Sequence, residues 1–283
     1  MVAILLSTYN GGKYLGEQIE SLLAQTYADW KLYIRDDGSK DDTLRIIENY
    51  VKRYPDKIFL NTSLPHNVGA GESFMHLLKE AEAEYYMFCD QDDVWMPHKV
   101  EFTLRKAKDL EQKYGVDAPI GIFTDLEVVD EELNVLMPSL WRGDKRHPEY
   151  IRDFYKQWTN RHAMYGCTLL INRAAKGIVL PYRQFENTQG AHDTWIEYFL
   201  IRKGILDYID EPTIHYRQHT SNVVGANMNI TYFSLLKDII RHPSHFFKKI
   251  TKDYRRTRLF PFPISYPKIV AYRFRQTLES LFK

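Results

Sequence analysis

Short, continuous apolar runs alternate along the chain with stretches in which apolar residues recur every three or four positions. Val2-Ala3-Ile4-Leu5-Leu6 is the first such run, the pattern of a strand buried on both faces. It ends in the polar loop Ser7-Thr8-Tyr9-Asn10-Gly11-Gly12, after which Leu15, Ile19, Leu22 and Leu23 mark one face of a helix. Trp30-Lys31-Leu32-Tyr33-Ile34 predicts a second strand, closed by Arg35-Asp36-Asp37-Gly38-Ser39. Asp41 or Asp42 can cap the helix that runs through Leu44, Ile47 and Tyr50. Ile58-Phe59-Leu60 is a short third strand, followed by the loop His66–Gly71 and a helix through Phe74, Leu77 and Leu78. Tyr85-Tyr86-Met87-Phe88-Cys89 predicts a fourth strand.

Beyond it, a charged helix runs from Met96-Pro97 to about Tyr114, with Pro at an early helical position. Ile120–Asp125 reads as a strand ending in an acid, and residues 126–162 are less regular. Ala163–Ile171 reads as a strand interrupted by Gly166, where a ligand or backbone can approach closely. A polar loop, Gln189–Asp193, precedes a helix over Trp195–Ile201, and Ile205–Ile209 and Thr213–Tyr216 read as short strands. Strands alternating with helices at a spacing of about 25–30 residues predict an α/β fold built on a parallel sheet. In such sheets ligands bind beyond the carboxyl ends of the strands. Three of those ends carry polar clusters, Ser7–Asn10, Asp36-Asp37 and Asp90–Asp93, and their agreement is stronger than any one of them.

The fourth strand runs directly into Asp90-Gln91-Asp92-Asp93-Val94-Trp95. Carboxylates so close repel one another and raise each other's pKa unless a cation sits among them. Aspartate oxygens suit a hard divalent ion such as Mg²⁺ or Mn²⁺. The plainer alternative is an acidic turn that caps the next helix. Likewise, Asp36-Asp37-Gly38-Ser39 could be a turn and cap, and His192-Asp193 could cap the following helix. Asn67 and Gly69 either touch a ligand or form a turn, and His219 is either functional or an ordinary loop histidine. Trp95 and Trp141-Arg142 either line a sugar site or pack structurally.

The 283-residue chain is long enough for one large domain or one domain with an appendage. Its two cysteines, Cys89 and Cys167, read as small buried hydrophobes in a reducing compartment. No signal peptide or transmembrane run is read in the sequence, so a cytoplasmic location is expected. The net charge of +1 is uneven: residues 241–283 hold 11 Lys and Arg against two acids, so residues 1–240 carry −8. Phe246, Phe247, Ile250 and Tyr254 fall near one helical face among Lys248, Lys249, Lys252, Arg255 and Arg256. A basic amphipathic helix of this kind suits an anionic membrane surface, and Ile269–Phe282 is a second candidate. The alternative is a helical tail with solvated lysines. Nucleic acid is disfavoured as a partner by the acidic body. The expected division is residues 1–225 and a basic helical extension, residues 226–283.

Ser7-Thr8-Tyr9-Asn10-Gly11, Asp36-Asp37-Gly38-Ser39, Asp90–Trp95, His192-Asp193 and Arg217-Gln218-His219, in this order, resemble family 2 glycosyltransferases. The resemblance spans roughly residues 2–222 and implies the GT-A fold, a Rossmann-like, mixed but mainly parallel sheet flanked by helices. It implies that Ser7, Tyr9 and Asp37 contact a nucleotide base, that Asp90 lies near the ribose, and that Asp92 binds Mn²⁺ or Mg²⁺. His219 would help hold the metal or diphosphate, and Asp193 would be the general base. Asn67, Gln91, Trp95 and Arg217 join the donor-binding set. The Asp-Gln-Asp-Asp-Val-Trp form with Arg-Gln-His is most similar to bacterial rhamnosyltransferases, which build cell-wall polysaccharides and O antigens from dTDP-L-rhamnose. This implies an inverting enzyme with a saccharide acceptor, and the basic tail would bring it to the inner membrane face, where the acceptor is expected to be lipid-linked. UDP-galactose and UDP-glucose are the competing donors. A sugar-phosphate nucleotidyltransferase would want a glycine-rich basic loop after the first strand, and only Lys13 lies near. A non-catalytic nucleotide-sugar binding module is disfavoured by the intact Asp90, Asp92 and Asp193.

Overall fold

The computed structural model describes residues 1–64, 66–180, 182, 192–219, 250–251 and 254–279. The chain divides into two compact units, Met1–Pro148 with Ala163–Gly225, and Glu149–His162 with Ala226–Lys283.

The first unit is built on one nine-stranded sheet. Its strands are β1 (Val2–Thr8), β2 (Trp30–Asp36), β3 (Ile58–Leu60), β4 (Tyr85–Cys89), β5 (Val94–Trp95), β6 (Ile120–Val129), β7 (Val135–Met137), β8 (Leu170–Asn172) and β9 (Ile205–Arg217). They lie in the order β3-β2-β1-β4-β8-β6-β9-β5, with β7 paired to β6. The strands from β3 to β4 are mutually parallel, as the alternating pattern predicts. Strand β8 then inserts antiparallel between β4 and β6. Strand β9 runs parallel to β6, and the two-residue β5 runs antiparallel to β9. The helices of this unit are α1 (Leu15–Leu23), α2 (Thr43–Arg53), α3 (Ala70–Glu80), α4 (Lys99–Tyr114), α5 (Leu140–Gly143), α7 (Arg173–Val179) and α8 (His192–Lys203), and α6 lies in the other unit. Burial follows the pattern: Val2 to Leu6 and Tyr86 to Cys89 are inaccessible to solvent, and α1 buries Leu15, Ile19 and Leu22 against the sheet layer.

Parallel pairing levels the strand ends. Thr8 stands beside Asp36, and Leu6 beside Cys89, so the polar segments after β1, β2 and β4 emerge at one edge. Some elements differ from the sequence pattern. The expected strand Ala163–Ile171 is a 3-10 turn over Gly166–Thr168 followed by the short β8. The two expected strands over 205–216 are one strand, whose pairing with β6 shifts register around Asp125 opposite Pro212. A proline cannot donate to a ladder, so it is tolerated where the register breaks. Strand β6 runs on past Asp125, which is buried within it and caps α5 by accepting from Trp141 N–H at 3.2 Å.

In the second unit, α6 (Phe154–Thr159) meets α9 (Tyr266–Glu279). Asp153 caps α6 by accepting from Tyr155 and Lys156 N–H at 2.9 and 3.1 Å, and it also accepts from the Tyr272 hydroxyl. Gln276 Nε2 donates to Asn160 Oδ1 at 2.9 Å, and Phe154, Trp158, Phe260 and Phe262 stack nearby. The hydrophobic pattern alone leaves residues 149–162 in the first domain. The structure groups them with the tail, where α6 packs on α9. Of the basic helix expected over 245–258, His245 to Lys249, Lys252 and Asp253 lie outside the described residues.

Candidate active site

The polar edge of the sheet gathers the acids. Asp90 leaves β4, and burial chiefly, with the nearby Asp92 and Asp193 carboxylates, raises its pKa to about 7. Asp193 sits in the first turn of α8, where its Oδ1 accepts from Thr194 N–H at 2.6 Å. Acids from two distant segments, Asp90 and Asp92 with Asp193, thus lie close enough to act on one another. Asp92 Oδ2 lies 2.8 Å from His219 Nε2, so the two expected metal ligands are neighbours. His219 rests against the Tyr14 ring, 4.9 Å between centroids. Strand β9 makes this meeting possible, since its pairing to β5 and β6 carries residues 217–219 past the Asp90–Asp93 loop.

Asp93 has a different task. It is buried, and its Oδ1 accepts from Arg217 N–H at 3.1 Å. Burial and the neighbouring Asp92 and Asp90 push its carboxyl well above the usual carboxylate range. Below it lies the fully buried Lys99, whose ammonium stands over the Trp95 ring at 4.8 Å and whose pKa burial lowers to about 8.

Two residues expected in the donor site are buried. Trp95 is only 2% exposed, with its indole in the core. Arg217 is equally enclosed, because its donors are spent on the protein: Nε on the Asp92 carbonyl at 2.9 Å, and its terminal nitrogens on the Glu131 carbonyl and the Glu17 carboxylate. Arginine presents a rigid fork of donors, and here the fork grips the loop that carries Asp92. Trp141 is buried as well and donates to the Ala163 carbonyl at 2.8 Å, so its structural reading holds.

On the other side of the edge, Ser7 Oγ donates to Ser73 Oγ at 2.8 Å and the Tyr9 side chain stands 49% exposed. Asp37 is buried. Its oxygens accept from Arg35 at 2.6 Å and from Val68 and Gly69 N–H at 2.8 Å each, while Asn67 Nδ2 donates to the Asp37 carbonyl at 2.7 Å. Asp37 and Asn67 therefore hold the 67–69 loop onto the end of β2. Arg35, which sequence reasoning missed, is solvent-inaccessible and also reaches the His66 carbonyl at 2.7 Å. Its one signal is a charge near the end of a mainly apolar strand. Gly166 packs against the acid segment: a β-carbon there would fall 2.7 Å from His192 Nε2. The imidazole stacks on Phe74 and Phe88, and burial lowers its pKa to about 3.

Comparison with known proteins agrees with this arrangement. The sequence model described as "Glycosyl transferase family 2" matches residues 3–178. The chain is 30% identical over 237 residues to the dTDP-rhamnosyl transferase RfbG of Shigella flexneri, a match covering 79% of this chain and 75% of that one. It resembles S. aureus TarS in complex with UDP-GlcNAc at a TM-score of 0.55 and 18% identity, covering 83% of this chain and 63% of that one, less than two thirds of its length. It also resembles the mannosyltransferase PcManGT of Pyrobaculum calidifontis, in complex with GDP-Man and Mn²⁺, at a TM-score of 0.56 and 13% identity, over 99% of this chain and 74% of that one. The chain belongs to glycosyl transferase family 2, and its first unit has the GT-A fold.

Proposed function

We propose that the protein transfers L-rhamnose from dTDP-L-rhamnose to a hydroxyl of a lipid-linked saccharide, in the building of a cell-wall or surface polysaccharide. The observation that carries the reading is the meeting of Asp90, Asp92, Asp193 and His219 at the carboxyl edge of the sheet. The likeness to RfbG favours the rhamnose donor. Ser7 and Tyr9, with the loop held by Asp37 and Asn67, form the base side of the cleft, and Asp90 the ribose side.

The residues fit a divalent cation. A carboxylate and an imidazole already 2.8 Å apart offer hard-ion and borderline donors together, beside two more acids whose repulsion a cation would relieve. Asp92 and His219 would hold Mn²⁺ or Mg²⁺, and a bound cation supplies Lewis-acid stabilisation of a diphosphate leaving group. Asp193 takes the proton from the acceptor hydroxyl as the new bond forms. One base and one displacement invert the anomeric centre.

The expected result of a thermal-shift screen is that dTDP-L-rhamnose with Mn²⁺ stabilises the protein, by about 2.7 kcal/mol at a hundredfold excess over Kd. Stabilisation by UDP-glucose or UDP-galactose alone would move the donor assignment to a UDP-hexose, a reading that the likeness to the UDP-GlcNAc-bound TarS supports.

The tail brings the enzyme to the inner membrane face. On α9, Ile269 is buried while Phe274 is 58% exposed, near Lys268 and Arg275, in a tail that carries +9. No described helix is long and apolar enough to cross a membrane. The full-length protein is expected to float with anionic vesicles at low salt and to be released as salt rises. Equal flotation of the Lys268→Glu, Phe274→Ser, Arg275→Glu triple variant would remove this face from the membrane contact.

A further inference from the structure

The residue between the two functional acids of the strand-end loop, Gln91, faces away from them. Its Oε1 accepts from Tyr9 N–H at 2.8 Å, and its Nε2 donates to the Tyr9 carbonyl at 3.1 Å. A side-chain amide thus gives one backbone residue both hydrogen bonds that a neighbouring strand would have given it. The fit requires Gly11, since a β-carbon there would lie 2.2 Å from Gln91 Oε1. The far side of the Tyr9 loop is tied to the β2–α2 connection, through Asn10 N–H on Ser39 Oγ at 2.8 Å and Gly11 N–H on Thr43 Oγ1 at 2.9 Å. On the near side, Gln91 supplies the tie. The Tyr9 side chain itself is exposed.

We infer that Gln91 is a positioning residue: it does not touch the donor, but fixes the Tyr9 backbone to the Asp90–Asp93 loop and so sets the Tyr9 ring against the nucleotide base. The inference rests on the reading of Tyr9 as the base side of the site. Gln91 matters through its two-way amide, which glutamate cannot reproduce because a carboxylate only accepts. Gly11 matters for the same reason from the other side, so its replacement should mimic the loss of Gln91.

The test compares the affinities of dTDP and inorganic pyrophosphate, both with Mg²⁺, by calorimetry. Pyrophosphate reports the cation side without a base. In Gln91→Glu and in Gly11→Ala, dTDP affinity is expected to fall about tenfold, the size of one base–aromatic stacking contact, while pyrophosphate affinity stays within about twofold. The double variant should lose no more than either single one, because both remove the same link. Unchanged dTDP affinity, or equal loss for both ligands, would overturn the role of Gln91. Wild type that binds dTDP no better than pyrophosphate would instead overturn the assignment of the base side itself.

Discussion

Asp193→Asn is expected to slow sugar transfer by about 10²–10⁴-fold while leaving nucleotide affinity nearly unchanged, the signature of a lost general base. Asparagine is nearly isosteric, and its side-chain carbonyl can still accept from Thr194 N–H, which Asp193 Oδ1 meets at 2.6 Å. The first turn of α8 and the buried His192 beside it therefore have no reason to move. What disappears is the capacity to take a proton from the acceptor hydroxyl. Single-turnover transfer with dTDP-L-rhamnose, set beside calorimetry of dTDP, separates the two effects. Turnover within a few-fold of wild type would remove Asp193 as the base, and a parallel collapse of dTDP binding would make it a structural residue.

Asp92→Ala should abolish the metal dependence of donor binding. With Mn²⁺ present, affinity for dTDP should fall by more than about tenfold, to the level seen without metal. Alanine removes the oxygen that meets His219 Nε2 at 2.8 Å, but it leaves the Asp92 carbonyl, which Arg217 Nε grips at 2.9 Å. The loop is thus held while its charge is lost. Calorimetry with and without Mn²⁺ reads this directly. A variant whose dTDP affinity still rises with Mn²⁺ as in wild type would show that the cation is held elsewhere.

The sheet edge was legible because three strands, β1, β2 and β4, announce themselves in the same way, as mainly apolar runs, broken in β2 only by Lys31, that stop at acids or hydroxyls. A strand buried on both faces leaves no other place for such residues than its end. Asp92, Asp193 and His219 could be listed from their motifs, but only the topology shows that β9 brings His219 to Asp92. The burial of Arg217 was not legible because a motif gives a residue's neighbours in sequence and not those in space. Its decisive partner, Glu17, lies 200 positions earlier. Only the fold shows the arginine's fork already filled. The burial of Trp95 was hidden for a related reason. An aromatic residue beside acids suggests a sugar platform, but β5 pairs with β9 and turns the indole inward over Lys99. Gln91 had its signal in Gly11, since a glycine in a loop can mark the close approach of a distant side chain. The second unit was legible only in its half of basic helix. The aromatic segment that α9 packs on comes from the middle of the chain, where no periodicity marks it.

The broken pairing between β6 and β9 constrains how this enzyme can vary. Thr124 stands opposite Ile209, Asp125 opposite Pro212 and Glu127 opposite His215, so β9 carries three residues more than its partner over this stretch. Side chains alternate faces along a strand, and an odd offset exchanges inside for outside. The bulges thus act as a phase setting, after which Arg217 turns into the protein and His219 meets Asp92. Relatives that lengthen or shorten β9 here should do so by two residues, or compensate in the turn that follows, because a change of one leaves the arginine facing water and the histidine without its acid.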